Sequence, residues 1–210
     1  MKMLLKSLVA FLLISAASFS LGGEAREPVR PGLSRTNGVA AIKALPEQDR
    51  AVAMTALRSE MRAKESLAAQ KRQARLVLLD LGDEETIRDT VKKSREDFIR
   101  TRQDMMDVLK ESSQPRIIAE LMKDVEREED AQPRLYNAEF FDYPISVRAS
   151  EAVCRILQNS TDIDQAVKTW AGRLSIRRPE ELRDQVRRWW AANKGHMTNE
   201  NFRVVKPPGN

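Results

Sequence analysis

Leu81-Gly82-Asp83-Glu84-Glu85-Thr86-Ile87 is the stretch on which the reading of the fold turns. An apolar helical stripe of Leu67, Ala74, Leu78 and Leu81 runs into Gly82, the residue type that most readily takes the left-handed conformation closing a helix. Asp83 follows at once with a side-chain carboxylate suited to capping a new helix, and Ile87 and Val91 carry the apolar side of that helix. The expectation is two helices joined by a very short turn.

Working outward, the same pattern recurs. Pro46 opens a helix with Met54, Leu57 and Met61 on one side. A longer helix places Phe98, Met105 and Leu109 together and breaks at Ser112-Ser113. Pro115 starts the next, with Ile117, Ile118, Leu121, Met122 and Val125 inward. Helical spacing returns with Ile145, Ala149, Ala152, Val153, Ile156 and Leu157. Thr161 or Asp162 is expected to cap a helix carrying Ile163, Ala166, Val167, Trp170 and Leu174. Pro179 opens a last helix with Leu182, Val186, Trp189 and Trp190, stopped at Gly195. No stretch alternates with period two for long enough to predict a strand, so the fold class is all-α.

The short turns at 82–83, 112–114 and 160–162 superpose the apolar positions around them. Leu78, Val108 and Leu157 coincide before the turn, and Ile87, Ile117 and Ala166 after it. The unit is about 30 residues with one insertion, within the range of helical-hairpin solenoids. On these residues the chain resembles a family. Leu81-Gly82-Asp83-Glu84-Glu85-Thr86-Ile87 is similar to the turn of a HEAT-like repeat, and Gln114 to Leu121 resembles the second helix of another. Ser146 to Val153, with the Trp170 helix, resembles a third, and Val186 to Lys194 is similar to the closing helix of exported bacterial proteins with HEAT-like repeats. The resemblance covers roughly residues 66–194. It implies a short α-α superhelix of helical hairpins serving as a protein-interaction scaffold, and it brings no catalytic residues. The alternative architecture is an irregular helical bundle. A fainter resemblance, Ala44-Leu45-Pro46-Glu47-Gln48 leading into a charged helix, is to periplasmic chaperones of the LTxxQ type.

Residues 1–23 join a basic start (Lys2, Lys6), an apolar run and a small-residue exit, the parts of a secretory signal peptide. The apolar run from Leu8 to Ala17 falls short of the roughly 20 residues needed to cross a bilayer. The expected organisation is a signal peptide at 1–23, a flexible leader at 24–45, a helical domain at 46–195 with an insertion at 127–144, and a loose tail at 196–210. The expected location is the periplasm or the medium, with no stable membrane insertion after cleavage. The 210-residue chain holds 36 Lys and Arg against 31 Asp and Glu, a formal charge of +5. That balance reads as a solvated charged surface and not as a nucleic-acid footprint.

Chemistry is sparsely advertised. Cys154 is the one cysteine and sits in an apolar helical stripe, so it reads as a buried, inert thiol with no disulfide partner in the chain. His196 is the one histidine and follows Gly195 at the start of a polar tail. Clustered metal ligands, a Gly-rich phosphate loop and a supported nucleophile–base pair are not apparent, and no enzyme, metal or cofactor is expected. Two features qualify as partner surfaces. The insertion at 127–144 gathers Tyr136, Phe140, Phe141 and Tyr143 in a chain only 5% aromatic. These rings either plug an edge of the fold or meet a protein or peptide partner. Arg187 and Arg188 precede Trp189 and Trp190, either as the polar side of an amphipathic cap or as a binding surface.

Cleavage gives the first testable expectation. Intact-mass measurement on the exported protein should show the loss of residues 1 to about 23. Recovery of soluble protein that still begins Met1-Lys2 would refute it.

Overall fold

The computed structural model describes residues 35–96, 98–130, 132, 134–137 and 140–197, with the backbone alone for 134–137, 140, 141 and 196. The segment expected to be a signal peptide, the expected leader up to residue 34 and the expected tail from 198 lie outside the described residues. The chain divides into two compact units, Met1–Thr86 and Ile87–Asn210.

In the first unit, α1 (Arg35–Lys43) packs on a hairpin of α2 (Glu47–Arg62) and α3 (Ala68–Asp80). Ile42, Ala53, Leu57, Ala74, Val77 and Leu78 form its buried cluster. Helix α1 corrects the expectation of a flexible leader reaching residue 45. Nine residues with weak helical patterning give little local signal, and tertiary contacts hold them in place. Gly38 and Ile42 are buried. Arg35 Nε donates to Asp80 at 2.7 Å. Arg50 Nη2 donates to the main-chain oxygens of Lys43 and Leu45 at 2.8 and 3.2 Å, satisfying carbonyls that the end of α1 leaves open. Leu67, assigned from sequence to the apolar stripe, instead precedes α3 and is 60% exposed.

The decisive turn is built as its residues demand. Gly82 has φ 77° and stands just past the end of α3. Its N–H donates to Leu79 O at 2.9 Å, and the Asp83 N–H donates to Leu78 O at 3.0 Å, so two terminal carbonyls are satisfied together. Asp83 then caps α4 (Glu84–Lys93), its Oδ2 accepting from Thr86 N at 3.1 Å and Thr86 Oγ1 at 2.6 Å. Arg58 of α2 reaches over to the same carboxylate. Burial pushes the Asp83 carboxyl up. The hydrogen bonds from Arg58 and Thr86 and the Arg58 charge outweigh it and bring the group below its ordinary range.

The second unit contains α5 (Ile99–Glu111), α6 (Arg116–Val125), β1 (Arg134–Asn137), β2 (Phe140–Asp142), α7 (Ile145–Asn159), α8 (Gln165–Arg173) and α9 (Pro179–Asn193), which ends in a 3-10 turn, Lys194–His196. Helix α7 is central: α5, α6, α8 and α9 all pack against it. It buries Val147, Ala149, Ala152, Val153, Cys154, Ile156 and Leu157, and α6 buries its predicted inward set, Ile117, Ile118, Leu121, Met122 and Val125. The fold is all-α with helical-hairpin packing, and β1 and β2 are short strands inside the insertion.

Several local expectations are corrected by the packing. Phe98 precedes α5 and is 66% exposed, and Met106 takes the core position assigned to Met105. The cap of α8 is Asp164, accepting from Ala166 N at 2.7 Å, and not Thr161 or Asp162. The chain makes an extra turn first: Ser160 Oγ accepts from Asp162 N at 3.2 Å, and Ile163 is buried. Ser112, at the end of α5, behaves identically. Both serines are fully buried, and Ser112 Oγ accepts from Gln114 N at 3.2 Å. Matching these two serines pairs Val108 and Leu109 with Ile156 and Leu157, one residue from the register read in the sequence.

Gly82→Ala should lower stability to urea by about 1–2 kcal/mol, because a side chain at positive φ is strained. Gly195→Ala serves as the control, since its Cβ meets no atom within 4 Å. Equal stability of the two variants would show that the Gly82 turn is not under this constraint.

Candidate functional site

The insertion has a defined neck. On the incoming side, α6 ends at Val125, Glu126 makes a turn, and the chain runs on to Asp130 without regular secondary structure. Helix α9 lies against it through two arginines one turn apart. Arg187 Nε donates to Val125 O at 2.8 Å and its Nη2 to Arg127 O at 2.7 Å. Arg183 Nη1 donates to Glu129 O. A planar guanidinium with several fixed donors suits this task, because it can satisfy adjacent carbonyls at once.

On the outgoing side, Asp142 closes β2 and lies between two helices. Arg102 Nη2, from α5, donates to its Oδ2 at 2.6 Å, and Arg148 Nη2, from α7, donates to its Oδ1 at 3.2 Å. Arg148 Nε also donates to Tyr143 O at 3.1 Å. The Arg102 and Arg148 side chains are only 16% and 9% exposed, so Asp142 neutralises cations that have largely left water. Glu129 joins the two sides. While its main-chain oxygen accepts from Arg183, its Oε1 accepts from Ser146 N at 2.7 Å, in the first turn of α7. A carboxylate there satisfies an open N–H and favours the positive end of the helix dipole.

Between these anchors, β1 and β2 pair antiparallel, with Arg134 opposite Asp142 and Leu135 opposite Phe141. Asn137 then pairs with Phe140, so the register shifts and leaves a bulge at Tyr136. The sheet has these two strands only among the described residues, so one edge of each carries backbone groups that no strand pairs.

The candidates read from sequence fall as follows. Tyr136 lies in β1, and Phe140 and Phe141 lie in β2; their side chains are outside the described residues. Tyr143 is half-buried in the neck and contributes its carbonyl. Arg187 is a neck residue and holds the end of α6, so a structural task accounts for it. Arg188 is exposed beside it. Trp189 is fully buried with its ring centroid 5.9 Å from that of Trp170, and Trp190 is half-buried. Sequence reasoning missed Arg102, Arg148, Asp142, Glu129 and Arg183. One signal was available: Arg148 interrupts the otherwise small and apolar run Val147-Arg148-Ala149, where a charge survives only with a partner.

Cys154 is buried, and desolvation, with Glu151 adding to it, pushes its thiol up to about 12, far from a reactive thiolate. Among the described residues no group of three or more His, Cys, Asp or Glu is gathered in a metal-binding arrangement. No family model matches the chain, and neither a curated protein nor a solved structure matches it significantly.

Asp142→Asn should destabilise the second unit by about 1–3 kcal/mol, because two poorly solvated arginines lose their common counter-charge. Backbone amides of 134–142 should exchange with solvent roughly tenfold faster or more. Unchanged exchange in that segment would show that this carboxylate does not hold the neck.

Proposed function

We propose that this is an exported, non-enzymatic helical scaffold of HEAT-like hairpins that binds a protein or peptide partner through the 127–144 segment. The observation that carries the reading is the closed neck. Five side chains, Arg102, Glu129, Arg148, Arg183 and Arg187, hold the two sides of the insertion on helices α5, α7 and α9. A chain that needed only to connect α6 to α7 would have no use for such anchoring. Short hairpins are marginal alone, and a rigid base gives the strands a fixed direction.

An extended partner segment could add to an unpaired strand edge, with main-chain hydrogen bonds for affinity and Tyr136, Phe140 and Phe141 as nearby aromatic contacts. The repeat reading draws support from the two buried serine turns at Ser112 and Ser160, which use one device at the ends of α5 and α7. Export rests on the signal-like segment at 1–23.

A chain with residues 132–141 replaced by a short Gly-Ser linker keeps Glu129 and Asp142 and should retain its helical content by circular dichroism. Peptides selected from a displayed random library on the intact protein should bind this variant at least about tenfold more weakly, a loss of some 1.4 kcal/mol. Equal binding to both proteins would remove the insertion from the function.

A further inference from the structure

The modest net charge of the chain conceals a strong segregation. Residues 165–197, covering α8, α9 and the turn between them, contain eight Lys or Arg against Glu180, Glu181 and Asp184, a formal excess of +5. Residues 87–164 of the same unit contain thirteen Lys or Arg and seventeen Asp or Glu, a formal −4. Arg173, Arg177, Arg178, Arg188 and Lys194 are exposed. Arg178 pairs with Glu181 at 3.2 Å, whereas the other four make no ion pair among the described residues. Arg183 and Arg187 spend their donors on carbonyl oxygens, which leaves their charge without a carboxylate partner there.

Apolar groups accompany these cations. All three tryptophans of the chain lie in this segment. Trp189 is fully buried and lies between Trp170 and Trp190, with ring centroids 5.9 and 6.3 Å away. The outer two are half-exposed, Trp170 stacked on Trp189 and Trp190 tilted against it, so an aromatic cluster runs from the core to the surface. The turn joining the helices reads Leu174-Ser175-Ile176-Arg177-Arg178, with Leu174 and Ile176 half-buried and both arginines exposed. Arg173, Leu174 and Arg178 line one recess there.

We propose that the α8–α9 hairpin docks peripherally on a membrane surface carrying acidic phospholipids. Arginines beside half-buried aliphatic and tryptophan side chains match a boundary that is anionic outside and apolar beneath. Among the described residues no helix is long and apolar enough to cross a membrane, so contact of this kind is lateral. A nucleic acid fits less well: Trp170 and Trp190, packed towards Trp189, have lost part of the open ring face that base stacking requires. Arg183 and Arg187 also hold the insertion neck, whereas Arg173, Arg177, Arg188 and Lys194 make none of its contacts among the described residues, and the inference does not depend on the insertion binding a peptide.

The test uses the protein recovered from the exported fraction, with neutral phosphatidylcholine vesicles as the control for any retained apolar segment. Vesicles containing phosphatidylglycerol should bind it at least about a hundredfold more strongly than neutral ones at low ionic strength. The preference should collapse as the Debye length falls from about 30 Å at 0.01 M salt to about 8 Å at 0.15 M. Each arginine near an acidic surface contributes about fivefold, so the triple variant Arg173→Gln/Arg177→Gln/Arg188→Gln should lose on the order of a hundredfold while keeping its melting temperature. Because every tryptophan lies in this hairpin, tryptophan emission, excited at the red edge where tyrosine does not absorb, reports on it alone. Binding should shift the emission to shorter wavelength and protect it from acrylamide. Equal binding to neutral and acidic vesicles, vesicle binding with unchanged emission, or a preference for an oligonucleotide over acidic vesicles at the same salt would each overturn the proposal.

Discussion

Helix α7 is packed on by four other helices, and that enclosure governs the composition of the second unit. A helix with neighbours on most sides cannot follow a simple amphipathic stripe. From Ser146 to Leu157 it buries ten residues, including two serines and an arginine. Its apolar residues are mostly small or β-branched, which lets helices approach closely; Ala149, Ala152 and Cys154 are examples. Two of its three buried polar side chains are provided for, while the Ser146 hydroxyl has no hydrogen-bond partner among the described residues. Ser150 Oγ donates to Ser146 O within the helix at 2.7 Å, and Arg148 turns to Tyr143 O and Asp142. The insertion that precedes α7 is thereby tied to the core through a residue of the core helix itself.

That connection explains why the insertion is more than a long loop. Loops of this length usually carry exposed backbone or fold on their own side chains. Here the main-chain oxygens of Val125, Arg127 and Glu129 are satisfied by α9, and the far side by α5 and α7. Ion pairs at a protein surface contribute little, but Arg102 and Arg148 are mostly buried, and Asp142 is the carboxylate to which both donate in the neck. The neck thus has a definite geometry, and the strands between its sides inherit a definite base.

The aromatic cluster and the charge on α8 and α9 follow from a different constraint. Trp189 fills the end of the core at 0% exposure, and its indole N–H has no acceptor among the described residues, so its contribution there is one of packing. Trp170 and Trp190 extend that packing outward, and both are half-exposed in a segment whose exposed side chains include several arginines. Arg178 pairs there with Glu181, whereas Arg173, Arg177, Arg188 and Lys194 make no ion pair among the described residues.

Sequence by itself determined the helical class, the Gly82-Asp83 turn, the inward set of α6 and the burial of Cys154, and it left open which of Trp189 and Trp190 closes the core. These depend on local rules: helical periodicity, one left-handed glycine, one capping carboxylate and the cost of exposing apolar side chains. Part of the candidate site was legible as an interruption of the helical pattern with unusual aromatic content, but its closure was not. Arg102 and Asp142 are 40 residues apart, and Arg187 and Val125 are 62 apart, so no local pattern links them. Helix α1 escaped for the same reason, since Arg35 and Asp80 lie 45 residues apart. The strands β1 and β2 were too short, and too bulged at Tyr136, to show alternation. Only the tertiary structure decided these features, because each rests on a charge or carbonyl whose partner is brought near by the packing of other helices.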